Sequence, residues 1–497
     1  MRKYIKATIS LLLAFAVLFG CTPESVPKIA DAPEKPPAPI DDTPVTYEAE
    51  DWVLLGNAKI LRDLEGYSGK GYVGGFAADG DACVITIDVP RDGFYNLTFT
   101  TASDNGEYKQ EYVYIDKTQV GAVTTDSTEF DDDTVYKQYL TAGKHELEYA
   151  KFWGWDFFDK LTVTQTTPIS PDVYKVSAEL VTPSPSASAQ ELMSYLAENY
   201  GKKILTGQYS ELGMNGFENY VIRDITGKQP AILGLDLMDY SPSRKAHGVK
   251  SGTVEKAIEF SEAGGIVTIC WHWSPPAKFI TGDWATSFYA EQTDIDLPTI
   301  LLEPDGDDYK LLMSDMDEIA KELVKLRDAN VPVLWRPLHE GAGKWFWWGA
   351  YGGKAYKELY DIMYEKFTKE YGLNNLIWVW NGESADYYPG DDKVDIVATD
   401  IYTSERNYSS QINAFTKATM YADKPKIIAL SENGAIPDPE LSLRDNAMWS
   451  FFVTWKDDFV LIGREISKYS EKYTEQSMLE KAYNSDITIT LDELPKK

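Results

Sequence analysis

Two short stretches of this 497-residue chain put a carboxylate where it is costly to keep one idle. The first is Trp335-Arg336-Pro337-Leu338-His339-Glu340, which follows an apolar run at 331–335. The second is Leu430-Ser431-Glu432-Asn433-Gly434, at the end of a run at 426–430. A glutamate directly after a buried segment, among rings and a cation, is unfavourable unless it is paired or has a task. Two such groups facing each other across about 5 Å are the arrangement that cleaves a glycosidic bond with retention. One must attack while ionised and the other must stay protonated. Like-charge repulsion and partial burial raise the pKa of the second and so separate the roles.

Other chemistries lack their residues. The four histidines form no HExxH pattern, and no glycine-rich phosphate loop is present. Cys83 and Cys270 fall in different presumptive domains without ligand-like spacing, so neither a disulfide framework nor a zinc site is expected, and catalysis is expected to need no cofactor. With 48 Lys+Arg against 78 Asp+Glu, the net charge of −30 repels nucleic acid and favours a neutral or cationic partner. The 14 Trp and 32 Tyr suit the apolar faces of sugar rings, although large cores use the same residues.

The two glutamates can meet only if the elements before them converge. From residue 189 to 493 apolar runs at 203–207, 231–235, 266–270, 331–335, 376–380, 394–398, 426–430 and 451–455 alternate with amphipathic segments. Helical periodicity is clearest over 254–263, 313–329 and 356–371. This rhythm predicts a (β/α)8 TIM barrel, with its chemistry at the carboxyl ends of the strands. Strands four and seven then oppose each other across the mouth and bring Glu340 to Glu432.

Residues 45–166 read differently, as short alternating runs such as Cys83-Val84-Ile85-Thr86-Ile87-Asp88-Val89 broken by turn residues. They predict an all-β sandwich of jelly-roll type. Residues 167–188, with Pro168, Pro171, Pro183 and Pro185, form the linker. At the amino terminus Arg2, Lys3 and Lys6 precede an apolar stretch at 9–19 of signal-peptide length. It ends in Leu18-Phe19-Gly20-Cys21, similar to a lipoprotein cleavage box with Cys21 as the acylated residue, so 1–21 is the expected leader. Residues 22–44, with Pro33, Pro36, Pro37 and Pro39, read as an extended tether. An exported monomer, anchored by lipid to a bacterial outer membrane or cell surface, is the expectation.

The stretch from Gly201-Lys202-Lys203-Ile204-Leu205-Thr206-Gly207-Gln208 to Trp455, with both glutamate motifs, resembles family 26 of the glycoside hydrolases. The best-known activity of that family is endo-β-1,4-mannanase. The resemblance implies that Glu340 is the acid/base and Glu432 the nucleophile, acting on mannan, galactomannan or glucomannan by double displacement. His339 before the acid/base is a mark of the family, where most clan relatives carry Asn. Arg336 would orient the carboxylates, a role compatible with an interior ion pair. Tyr402 resembles the tyrosine that hydrogen-bonds the nucleophile, with a core tyrosine as the alternative. His272, in Cys270-Trp271-His272-Trp273, resembles a histidine that contacts substrate beside the cleavage point, with packing as the alternative.

Trp345 matches an aromatic platform, while Asp400 and Trp455 are weaker candidates for the glycone side. Rivals are the same mechanism on β-1,3-xylan or mixed-linkage glucan, and a non-catalytic glycan-binding lipoprotein. Residues 45–166 resemble a carbohydrate-binding module of family 35 or the related family 6, through Tyr47-Glu48-Ala49-Glu50 and Trp155-Asp156-Phe157-Phe158-Asp159. In such modules a structural Ca²⁺ is held by residues matching Glu48, Glu50 and Asp159. Trp153 or Trp155 would be a sugar platform or core.

Overall fold

The alternating stretch folds as two antiparallel sheets of six and five strands, as a computed structural model of the chain shows; it describes residues 40–463 and 468–496. Strands Gly93–Ser103 and Asp156–Thr166 pair along their length in the larger sheet, and Ala82–Val89 pairs with Gly143–Lys151 in the smaller. Their inward residues, among them Phe99, Tyr149 and Phe158, fill the space between the sheets together with Trp52. Tyr149 stacks on Phe158 at 4.7 Å between ring centroids, a geometry worth more than the area it buries. Trp153 and Trp155 are 41% and 57% exposed, so neither is core. Cys21 and the tether up to residue 39 lie outside the described residues.

Eight parallel strands close the second part into a barrel. They are β1 (Gly207–Tyr209), β2 (Ile232–Asp236), β3 (Ile266–Cys270), β4 (Val333–Arg336), β5 (Leu376–Trp380), β6 (Ile396–Ile401), β7 (Ile427–Asn433) and β8 (Phe452–Thr454). Gln208 pairs with Thr454 and completes the ring. Nearly every residue of β3, β4, β5 and β7 is buried, which is why these strands read as unbroken apolar runs rather than alternating ones.

The first run differs from expectation. Ile204 and Leu205 leave the barrel and pair with Thr488 and Ile489 near the carboxyl end of the chain, and the barrel strand begins only at Gly207. Thr206 marks the division, since both its N–H and its hydroxyl donate to the Ile489 carbonyl. A Cβ at position 207 would stand 2.5 Å from the Phe452 carbonyl, so only glycine lets β1 approach β8.

The sandwich sits on the barrel through polar contacts around the segment that follows β6. Gln119 accepts the Ser404 N–H at 3.1 Å through its side chain and the Asn407 amide at 2.8 Å through its backbone carbonyl. Asn413 accepts the Tyr136 N–H at 2.9 Å, and Lys417 pairs with Asp133 at 3.0 Å. The module therefore braces the loop that carries Tyr402.

Candidate active site

β4 ends at Arg336, and the chain then passes through two left-handed residues, Leu338 with φ +50° and Glu340 with φ +54°. Such values are uncommon outside glycine and hold only where the surroundings enforce them. Here the Glu340 N–H donates to the Asn381 carbonyl at 2.7 Å, beyond the end of β5, and this bond fixes the turn. The turn aims Glu340 over the barrel mouth. Glu432 needs no such device, because it lies within the last residues of β7 and points inward from the strand.

One carboxylate oxygen from each of Glu340, Asp400 and Glu432 lies within 4.8 Å of the others. Two carboxyls this close leave no room for a water between them, a spacing that suits direct attack rather than inversion. A guanidinium already pairs with two members of the trio, Asp400 and Glu432. Arg336 is fully buried, and its Nη1 donates to Asp400 at 2.8 Å and to the Asn381 side chain at 3.1 Å. Its Nη2 donates to Glu432 and to the Tyr209 hydroxyl. Tyr402 donates to the other oxygen of Glu432 at 2.6 Å. Asp400 also accepts from Ser431 at 2.7 Å, and its side chain is 1% exposed. It serves Arg336 as a counter-ion.

The electrostatics separate the two glutamates. Burial, with the charge of Asp400 adding to it, pushes Glu432 up to about 7 against the pull of Arg336, and the Tyr402 hydroxyl also holds it down. Glu340 is raised well above the usual carboxylate range, first by burial and then by Asp400, Glu432 and Glu383. A single hydrogen bond opposes that rise, from the Trp345 indole at 2.8 Å. One guanidinium is shared by Asp400 and Glu432, so a proton retained by the cluster resides on Glu340.

The remaining candidates line the same mouth. His272 follows β3 with its Nε2 3.1 Å from the Nε2 of His339. Burial, followed by the Arg336 charge, holds His339 well below the usual histidine range, so it is neutral. Trp455 packs against the Tyr209 ring at 4.6 Å and faces His272 at 6.0 Å. Of the aromatic row after Glu340, only Trp345 is open, at 39% exposed, while Phe346, Trp347 and Trp348 are core.

Three groups of the cradle, Tyr209, Asp236 and Glu383, are not among the residues expected from the sequence, and a fourth, Asn381, is expected beside the cleft but without a role. Tyr209 ends β1, Asp236 ends β2, and Asn381 and Glu383 follow β5. Glu383 accepts the Asp400 N–H at 2.8 Å and the Thr399 hydroxyl at 3.1 Å, which fixes the end of β6. Their common signal was a polar residue at the carboxyl end of an apolar run.

The profile of glycosyl hydrolase family 26 matches residues 181–493, the whole of the barrel that carries these groups. The chain belongs to glycosyl hydrolase family 26. Residues 45–166 match carbohydrate-binding module family 35, which decides between the two module families expected for the sandwich. A mannan endo-1,4-β-mannosidase of Thermothelomyces thermophilus is 38% identical, over 98% of this chain and 98% of the relative. The crystal structure of the Podospora anserina GH26-CBM35 β-(1,4)-mannanase is similar over 91% of this chain and 99% of its own, at 38% identity and a TM-score of 0.62. A β-mannanase from a symbiotic protist of the termite Reticulitermes speratus, solved with a gluco-manno-oligosaccharide, covers 64% of this chain at 35% identity and a TM-score of 0.57.

Proposed function

We propose that this family 26 enzyme is a retaining endo-β-1,4-mannanase acting by double displacement. The observation that carries the reading is the pair itself: Glu340 and Glu432 within 4.8 Å, with Arg336 and Tyr402 bonded to Glu432 and not to Glu340. Glu432 attacks the anomeric carbon as the scissile bond breaks, and Glu340 passes its proton to the leaving oxygen. Glu340, now ionised, takes a proton from water, whose oxygen displaces Glu432 and releases the sugar with its original configuration. Trp345, beside the proton donor, would stack against the leaving side of the glycan. Reducing ends should appear rapidly from mannan, galactomannan or glucomannan. Faster release from β-1,3-xylan or mixed-linkage glucan would move the specificity within the family, and silence on every glycan would leave a binding protein.

The sandwich would bind a plant β-glycan through Trp153 or Trp155 and carry a structural Ca²⁺. Glu48 and Asp159 both accept from Ser68, Glu50 accepts from the Lys70 N–H, and the Oε2 of Glu50 is buried without a partner. Three carboxylates converging on one loop, one of them with an orphan oxygen, fit a hard cation. Calcium at about 100 times its Kd would add about 2.7 kcal/mol of stability. The Tm of the chelated protein should therefore rise on adding calcium, and Glu50→Gln should lose most of that rise. No response in the unmodified protein would exclude the site.

The leader-like sequence supports export and lipid anchoring through Cys21, with the folded part a monomer held off a bacterial membrane by the tether. No helix among the described residues is long and apolar enough to cross a membrane. Expressed with its leader, the protein should partition into detergent, and Cys21→Ala should leave it in the aqueous phase; unchanged partition would reject lipidation there.

A further inference from the structure

Asp236 ends β2 and touches neither glutamate, yet it grips His272 twice. Its Oδ1 accepts the His272 N–H at 3.1 Å, and its Oδ2 lies 2.6 Å from Nδ1 of the ring. A carboxylate that close to a ring nitrogen requires a proton between them, so His272 carries hydrogen on Nδ1. In the neutral ring Nε2 is then a bare acceptor. It faces the Nε2 of His339, and the 3.1 Å between the two nitrogens likewise calls for a proton. His339 must supply it, which leaves the lone pair on its own Nδ1. That atom is buried and has no hydrogen-bond partner, as the assignment requires. The opposite arrangement would bury an unpaired N–H at His339, and orphaned donors are rarer than orphaned acceptors.

Cys270 lies in the same cluster, but the group does not fit a metal. Ligands of a tetrahedral zinc at about 2.1 Å stand roughly 3.4 Å apart. The 2.6 Å between Asp236 and His272 is too short for an ion between them and suits a charge-assisted hydrogen bond.

We propose that Asp236 is a positioning residue for the reaction, setting the tautomers of His272 and His339 and through them the seat of Glu340; this rests on the function proposed above. His339 directly precedes Glu340, and its carbonyl accepts the Trp348 indole at 2.9 Å. The ring and the peptide of His339 are thus both tied, and the left-handed turn at Glu340 starts from a fixed point. Without Asp236 the proton of His272 is free to move to Nε2. It would then oppose the N–H of His339, and the two rings would have to separate or re-pair.

The chain has four histidines, so the ¹⁵N imidazole spectrum of histidine-labelled protein can be assigned residue by residue. In the unmodified enzyme His272 should be the Nδ1–H tautomer and His339 the Nε2–H tautomer. Asp236→Asn preserves shape but can present an N–H to Nδ1. It should change the signals of His272 and His339 while leaving His145 and His247 alone. It should also lower kcat on galactomannan by about 10- to 100-fold, with KM changed less than about threefold. An Nε2–H tautomer at His272 in the unmodified enzyme overturns the proposal, whether or not the variant folds. So does a variant with unchanged tautomers, or one with kcat within about twofold of the original. In each case the unmodified enzyme still cleaves mannan, whereas failure of the functional reading itself would show as no cleavage at all.

Discussion

Glu432→Ala is expected to lower kcat on the order of 10⁵-fold on mannan and on activated aryl mannosides alike, without any burst of released leaving group. The argument is one of bond-making. A good leaving group departs without help, but the covalent intermediate needs an attacking carboxylate, and Glu432 is the one whose oxygens are held by Arg336 and Tyr402. Asp400 cannot substitute, because it is bonded to Arg336 and Ser431 and its side chain is 1% exposed. Mannohexaose should still bind, since Trp345 and Trp455 are untouched. Added azide could enter the vacated face and give an α-configured mannosyl azide. A burst from this variant would remove Glu432 from the role of nucleophile.

The two glutamates were legible because each stands at or just beyond the end of an apolar run, and a strand end in a parallel barrel has one address. Their cradle was less legible for a physical reason. Tyr209, Asp236, Asn381 and Glu383 come from the ends of three different strands, and a single polar residue at a strand end is ambiguous until closure brings it to its partners. Asp400 shows the same limit from the other side: its position was readable, but its pairing with Arg336 depends on the three-dimensional cluster. The first run, 203–207, meets its barrel strand only at Gly207, because 204–205 are as apolar as a barrel strand and their true partner lies more than 280 residues away, as in the 283-residue separation of Thr206 from Ile489. The grip of Gln119 on the loop after β6 carried no signal, since a glutamine on a strand reads as solvated until the barrel covers it.

Glu340→Ala should fail at the opposite step. Glycosylation by an activated aryl mannoside should proceed within about tenfold of the original rate, because that leaving group departs without a proton. Mannan, whose sugar leaving group needs the proton, should lose on the order of 10³- to 10⁴-fold. The glycosyl-enzyme formed from the aryl substrate would then stall, because no base remains to activate water, so a burst of one equivalent should precede a slow steady state. The neighbourhood keeps this outcome clean. Trp345 loses only its bond to the carboxyl, while Arg336, Tyr402 and Asp400 keep their contacts with the nucleophile or with one another. Azide requires no base, so it should restore turnover of the aryl substrate and yield a β-configured mannosyl azide, the product of two inversions. Its charge also matters, because removing Glu340 takes away the carboxyl that would repel an anion approaching Glu432. Recovery of α-azide from Glu340→Ala would mean a single displacement and would reverse the two assignments. Absence of any burst with a good leaving group would show that Glu340 is needed to form the intermediate, which a proton donor to such a group is not.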